Sequence, residues 1–200
     1  MLGALNTSGV ARRARGLTLI ELLVVIGVAG VLLALGAPSL RDFILVQRLK
    51  SVNAQLVTDL AFARSEAVAR GQFMRLVFRS NDSMTCYAIF TSPVNATRCD
   101  CLLGVGSACS GDMREVRTVQ LPLSDAVQLR PPAGQQNAFA FDHVSGGIMT
   151  IPSDFPSTPM NLFQTLASID TDRVLRTSVG RTGRVTVCAP SSTSVGAPAC

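Results

Sequence analysis

The chain has no Trp, a single Tyr (Tyr87) and a single His (His143) in 200 residues. With so few flat polar rings, it lacks the material for an aromatic platform of the kind that holds sugars. One His cannot build a multi-histidine metal centre, and a lone His more often sits in a core or on a surface than in a site. No nucleophile-elbow pattern accompanies it, so a Ser/His/Asp site has no support. A P-loop and a dinucleotide fingerprint are both absent. Asp170-Thr171-Asp172 offers two carboxylates, too few for a calcium loop, and is expected to mark a turn. No internal repeat is visible. The sequence thus supplies no catalytic residue, no cofactor site and no metal site, and does not have the character of an enzyme.

Charge is missing from one stretch in particular. From Leu17 to Pro38 the only charged residue is Glu21, and Arg12, Arg13, Arg15 and Gly16 come just before. The segment 17–37 is predicted to be a helix, marginally long enough to span a bilayer. Pro38 should bend it or open its hydrogen bonding. A carboxylate within a bilayer costs at least ~2.5–3.5 kcal/mol on insertion scales, so Glu21 needs a reason. Cutting the chain after Gly16 would create an amine four residues before Glu21. The amine of one rod could then meet the Glu21 of its neighbour and partner the buried charge. The alternative is a Glu21 that snorkels to one membrane face. A secretory signal has its small-residue cleavage site after the apolar core. Here a cut after Ala37 would meet Pro38 and a charged helical pattern instead.

Net charge is +5 and pI about 9.2. Removing residues 1–16 takes away three Arg and lowers the side-chain charge to +2. Overall basicity is therefore no argument for nucleic acid, and only a local cluster could make one. From Ser39 to Arg70 the apolar residues Leu45, Leu49, Val52, Leu56, Leu60, Ala63 and Ala67 recur at steps of three and four. They mark one helical stripe, with Arg41, Arg48, Gln55, Asp59, Glu66 and Arg70 expected mostly off it. Gly71 is placed to end the helix. Strands are predicted at 73–78 and 84–90, joined by a turn at Ser80-Asn81-Asp82-Ser83. Further strands are expected at 116–121, 127–129, 139–141, 166–169, 174–179 and 184–187. Pro122 and Pro131-Pro132 are breakers, and 92–113, 153–159 and 189–200 are loops. A long helix followed by short strands is α+β, with a sheet covering the helical stripe.

Cys86, Cys99, Cys101, Cys109, Cys188 and Cys200 all follow the apolar rod. An even number in a segment placed beyond a membrane points to disulfides in an oxidising compartment. Six Cys allow 15 complete pairings. Proximity favours Cys188 with Cys200, leaving the other four to pair among themselves. The rival is a zinc site at Cys99-Asp100-Cys101, which lacks paired C-x2-C spacing.

Arg15-Gly16-Leu17-Thr18-Leu19-Ile20-Glu21, with Pro38 near the end of the apolar run, resembles the leader of type IV pilin-like proteins. Leu17 stands where members usually carry Phe. The resemblance implies that a prepilin peptidase cuts between Gly16 and Leu17 and methylates the Leu17 amine. Pro38-Ser-Leu-Arg-Asp-Phe43, Arg48-Leu-Lys-Ser51, Leu60-Ala-Phe-Ala-Arg-Ser-Glu-Ala67 and Arg70-Gly71 resemble FimT/GspH-type minor pilins and pseudopilins. So does Gly180-Arg-Thr-Gly-Arg-Val-Thr-Val-Cys188.

The implied fold is pilin-like: a long N-terminal helix packed on an antiparallel β-sheet, with a disulfide-stapled loop and a C-terminal tail. The implied layout is a leader over 1–16, a transmembrane and assembly half-helix over 17–38, and a periplasmic globular domain over 39–200 that includes the amphipathic helix 39–70. The implied role is a minor subunit of a type IV pilus, or alternatively of a type II secretion pseudopilus. Its partners would be other pilins or pseudopilins through the N-terminal helix, the prepilin peptidase, and the inner membrane before assembly. A leader of bacterial type makes the glycosylation-like Asn95-Ala-Thr97 irrelevant. Some members of this branch bind DNA through basic residues near the C-terminus. The arginines in that region here are Arg173, Arg176, Arg181 and Arg184, with Arg181 in an expected hairpin turn. Such cations suffice for salt-dependent phosphate contacts. No aromatic residue lies between Val174 and Val187, so base stacking is not supported. The alternative for these arginines is a solvated hairpin, with Arg184 capping or pairing locally.

Overall fold

The structure is a computed structural model that describes residues 18–92, 99–151, 158–190 and 195–200, except for the side chains of 35–38. Helix α1 runs Leu19–Arg70. The chain divides into two compact units, Met1–Asp42 and Phe43–Cys200.

In the first unit the helix opens on a capped turn. Thr18 Oγ1 accepts from the Glu21 backbone N–H at 3.3 Å, and Thr18 O accepts from the Leu22 N–H at 3.1 Å. Thr18-Leu-Ile-Glu21 thus has the spacing of a capping box, with an acid in the positive first turn. Beyond it the apolar side chains face outward on all sides, from Leu19 at 78% exposure to Leu33 at 73%. By length and hydropathy no single described helix qualifies to cross a membrane; the segments 19–34 and 39–70 pass the test only as a pair.

In the second unit the stripe is buried as its spacing requires. Leu49, Leu56, Leu60, Ala63 and Ala67 are at most 1% exposed, and Val52 is half-buried. Gly71, with φ +61°, ends the helix in a Schellman motif: its N–H reaches Val68 O, and the Gln72 N–H reaches Ala67 O. Asp59 departs from expectation. It sits three residues after Leu56 and four before Ala63, and is 1% exposed, so it belongs to the buried face.

Among the described residues nine strands follow: β1 Met74–Ser80, β2 Met84–Thr91, β3 Arg114–Pro122, β4 Gln128–Arg130, β5 Ala138–Phe141, β6 Ile148–Met149, β7 Leu162–Ser168, β8 Val174–Gly180 and β9 Val185–Cys188. The antiparallel packing expected against the helix is divided between two sheets. Sheet A has the order β3-β2-β1-β5-β6, and sheet B the order β4-β7-β8-β9. The β1–β2 turn is built by Asn81, whose Oδ1 accepts from Ser83 N, Ser83 Oγ and Met84 N. Two strands escaped the sequence pattern. β6 is only two residues long, and β7 starts four residues earlier than expected because Gln164 interrupts its apolar positions. Pro122 closes β3 rather than breaking before it, since β3 is an edge strand and a missing N–H there costs no ladder bond.

Alternation along sheet A explains the rest of the core. Met74, Leu76, Phe78, Tyr87, Ile89, Phe139 and Phe141 join the helix stripe and sheet B residues Phe163, Ala167, Leu175 and Val179 in one cluster. The opposite face carries Val77, Cys86, Ala88, Phe90, Ala138 and Ala140, and is covered by Cys99, Cys101 and Met113 of the cysteine-rich segment. The disulfides are Cys86–Cys101, Cys99–Cys109 and Cys188–Cys200. Both cysteines of the alternative zinc site are thereby consumed. The stapled segment is thus the second cover of sheet A, held onto β2 by one disulfide and closed on itself by another. Within the expected loops, residues 93–98, 152–157 and 191–194 lie outside the described residues.

Candidate functional site: an exposed apolar rod, two polar pegs and an arginine-lined turn

Gly16 and Leu17, the expected cleavage and methylation positions, lie outside the described residues, as do Arg12, Arg13, Arg15 and Asn95-Ala-Thr97. Glu21 lies in the first turn of α1 among exposed Leu and Ile side chains. Its backbone N–H is used by Thr18. The side chain therefore projects from a helix start whose orphan N–H groups favour negative charge.

Two buried polar contacts fix the second half of α1 in rotation and register. Asp59 Oδ2 accepts from Tyr87 Oη at 2.6 Å and pairs with Arg117 Nε at 3.0 Å, so one helix residue touches both β2 and β3. Burial, followed by the hydrogen bond to Asp59, raises the Tyr87 phenol far above its ordinary value. Asn53 Oδ1 accepts from Thr177 Oγ1 of β8 at 2.7 Å. One peg reaches sheet A and the other sheet B. Sequence reading passed over both because polar residues on a helix are ordinarily solvated. The available signal was position: Asn53 follows Leu49 by four residues, and Asp59 follows Leu56 by three.

The β8–β9 turn packs at close range against the segment before β6. The Gly180 N–H donates to Arg184 O and the Gly183 N–H to Gly180 O, closing a three-residue hairpin with Gly183 at φ +76°. A Cβ on Gly183 would stand 2.1 Å from Gly146 O, and one on Gly147 would stand 2.7 Å from Arg181 O. Arg181 O accepts from the Ile148 N–H of β6 at 3.1 Å, and Arg64 Nε of α1 donates to Gly146 O at 3.1 Å. The turn and the 142–147 loop thus meet at backbone distance, and the helix reaches them through the Arg64 side chain. The loop is pinned by Asp142 Oδ2, which accepts from Ser145 N and Oγ. Burial acts to raise the Asp142 carboxyl, but these bonds outweigh it and hold it below the ordinary range.

The four expected arginines do not converge. Arg181 and Arg184 are exposed at the β8–β9 turn, where Arg64 joins them around clefts of about 450 and about 410 Å3. Arg173 lies at the other end of β8, where Asp170 accepts from its Nε at 2.8 Å and from its backbone N–H at 2.7 Å. Hydrogen bonds from Arg173 hold the Asp170 carboxyl below its ordinary value. The turn expected at Asp170–Asp172 is therefore an Asp–Arg turn. Arg176 is half-buried within β8, its Nε enclosed. Arg64, which lies in the motif Leu60–Ala67, is not among the site residues expected from the sequence, although Gly146-Gly147 and Gly180-Arg-Thr-Gly-Arg184 signal the close approach it supports. Among the described residues, no group of three or more His, Cys, Asp or Glu is placed to hold a metal ion.

Two family descriptions match the chain: "Type II transport protein GspH" over residues 53–194 and "Prokaryotic N-terminal methylation motif" over residues 11–37. No curated protein matches. Among solved structures the chain is similar to the type IV minor pilin FimU of Pseudomonas aeruginosa strain PAO1, with 15% identity and a TM-score of 0.48 over 76% of this chain and 93% of that one. It is also similar to the minor pseudopilin EpsH from the type 2 secretion system of Vibrio cholerae, with 15% identity and a TM-score of 0.40 over 72% of this chain and 99% of that one. The GspH match takes in the helix from Asn53 on, with both pegs, both sheets and the glycine–arginine turn, and the methylation motif precedes it. The chain belongs to the GspH family of type IV pilin-like proteins.

Proposed function

We propose that this protein is a minor pilin, a structural subunit of a type IV pilus rather than an enzyme. In this reading the prepilin peptidase cuts between Gly16 and Leu17 and methylates Leu17, and the segment from Leu17 on holds the subunit in the inner membrane with its C-terminal domain in the periplasm. Assembly then moves the rod from lipid into a bundle of partner rods. The observation that carries the reading is the exposed apolar run 19–33 with its single carboxylate, Glu21, in the capped first turn. Such a surface is stable only against lipid or other apolar rods, and the carboxylate suits a neighbour's new amine. Mass spectrometry of the mature chain tests the processing step: an N-terminus other than methylated Leu17 rejects it. Glu21→Ala should insert into the membrane yet reach sheared filaments at no more than about a tenth of the normal amount. Normal incorporation rejects the pairing.

A second reading, a minor pseudopilin of a type II secretion system, is favoured by the family's description as a transport protein. Deleting the assembly ATPase of each machine in turn separates the two, because only one deletion should strand the protein in the membrane. DNA contact is a further property proposed for the pilus reading. It narrows to Arg181 and Arg184, the two exposed arginines that share a turn. Full-length protein in detergent should then bind duplex DNA with an affinity that falls steeply with salt and is lost in the Arg181→Ala, Arg184→Ala double variant.

A further inference from the structure

The edge of sheet B is incomplete in a specific way. β9 is the outer strand, and among the described residues only β8 pairs with it along its length. In an antiparallel ladder the hydrogen-bonded pairs alternate. The Gly180 N–H donates to Arg184 O, so the bonded pairs continue through Ser178 with Thr186 and Arg176 with Cys188. The N–H and C=O groups of Val185, Val187 and Ala189 therefore point away from the sheet. At Ala189 both outward groups are used: its N–H donates to Pro198 O at 2.8 Å, and its O accepts from the Cys200 N–H at 3.1 Å, a parallel bridge. The tail segment 198–200 thus already acts as an added strand over one residue of this edge. At Val185 and Val187 no described segment continues it.

Beside this open edge runs a groove. One cleft of about 450 Å3 lies between Val57, Ala61 and Val68 of α1 and Val185 of β9. A second of about 530 Å3 shares Val57 and continues along Ala54 and Lys50 to Val187 and the tail. From Lys50 to Val68 the helix rises roughly 27 Å, which matches about eight residues of extended chain. The charged side chains on the walls are Lys50, Arg64 and Arg184, and no Asp or Glu is among the described lining residues of either cleft. Arg64 is held in place by its bond to Gly146 O. Asp142 lies in the neighbouring cleft, with its carboxylate occupied by Ser145.

We propose that β9 and this groove form a docking site for an acidic, extended segment of a partner protein, which adds to sheet B as a strand. Its backbone would bond the outward groups of Val185 and Val187 and continue the row begun by the tail. On its helix-facing side, apolar side chains would cover Val57, Ala61 and Val68, and carboxylates at the two ends of that same side would meet Lys50 at one end and Arg64 with Arg184 at the other. This is backbone-directed recognition, with pockets and charge supplying specificity. It does not depend on which filament the protein enters.

The test uses full-length protein in detergent micelles and an acetylated octapeptide with glutamate at positions 1 and 7, valine at positions 3 and 5 and threonine elsewhere, so that one face carries both the apolar and the acidic groups. The control peptide has lysine in place of each glutamate. Lys50 is the single lysine of the chain, so a carbodiimide should join the acidic peptide to Lys50 in preference to the N-terminal amine, the other amine available, as peptide mapping of the product would show. The acidic peptide should also slow hydrogen exchange at the Val185 and Val187 amides by at least tenfold. Lys50→Glu with Arg64→Glu should weaken binding at least tenfold. Val187→Pro removes an outward N–H that the β8–β9 ladder does not use, and should have the same effect. Equal binding of the lysine peptide, no binding of the acidic one, or unchanged exchange at Val185 and Val187 would overturn the proposal. So would unchanged affinity in the charge-reversed variant, which leaves the strand itself untouched.

Discussion

At the scale of single residues, the informative positions are polar groups that a helix would normally leave in water. Asp59 is enclosed, yet every neighbour it needs is present: a phenol from β2 and a guanidinium from β3. Asp59→Ala leaves the buried Tyr87 hydroxyl unpaired and is expected to cost about 1–3 kcal/mol. Tyr87→Phe keeps the ion pair and should cost about 1 kcal/mol. Denaturant unfolding of the two variants checks the order. Glu115 of β3 is a second carboxylate held by its neighbours, accepting from the Gly106 and Ala108 N–H groups of the stapled segment at 2.9 and 3.1 Å. Burial acts to raise its carboxyl, but the hydrogen bond from Gly106, with those from Thr118 and Ala108, outweighs it and lowers it from 4.5. A carboxyl lowered in the fold stabilises above its unfolded value and loses that contribution as pH falls through its folded value. The Gly106 and Ala108 amide resonances should therefore move together below about pH 4.5, and Glu115→Gln should abolish the shared midpoint.

At the scale of elements, the β8–β9 hairpin shows why a glycine pattern recurs near the end of the chain. Gly183 combines φ +76° with a neighbouring carbonyl where its Cβ would stand, whereas a Cβ on Gly180 would meet nothing nearer than 3.9 Å. Gly183→Ala should therefore lower the unfolding free energy by roughly 2 kcal/mol or more, and Gly180→Ala by less than about 1 kcal/mol. Thermal melts of the pair separate backbone crowding from a general dislike of substitution in this turn. The sequence marked the turn through Gly180-Arg-Thr-Gly-Arg184. It could not say that the partner of Gly183 is Gly146, because that approach joins segments 37 residues apart in sequence.

At the scale of the whole molecule, the two disulfides of the cysteine-rich segment serve a different purpose from the third. Cys86–Cys101 and Cys99–Cys109 hold a cover on the second face of sheet A, while Cys188–Cys200 holds the tail beside β9. Loops of this length give about 3 kcal/mol per bridge in the chain-entropy picture. Cys86→Ser with Cys101→Ser should cost that much and also expose Val77, Ala88 and Phe90. Cys188→Ser with Cys200→Ser should cost a similar amount without exposing that face. Dye binding to apolar surface, read beside the unfolding midpoint, distinguishes the two.

Sequence alone determined the features written in local patterns. The apolar rod, the helical stripe, its glycine stop and most strands depend on neighbours a few residues apart, and closeness in sequence favoured the pairing of Cys188 with Cys200 that the structure contains. Only the tertiary structure decided the rest. It placed Asp59 and Asn53 inside, set Arg173 apart from Arg181 and Arg184, divided the strands between two sheets, and, among the described residues, left two outward-facing residues of β9 without a strand partner beside the helix. The physical reason is common to all four. Each depends on which distant backbone or side chain arrives at the same place, and a chain's local periodicity carries no record of that meeting.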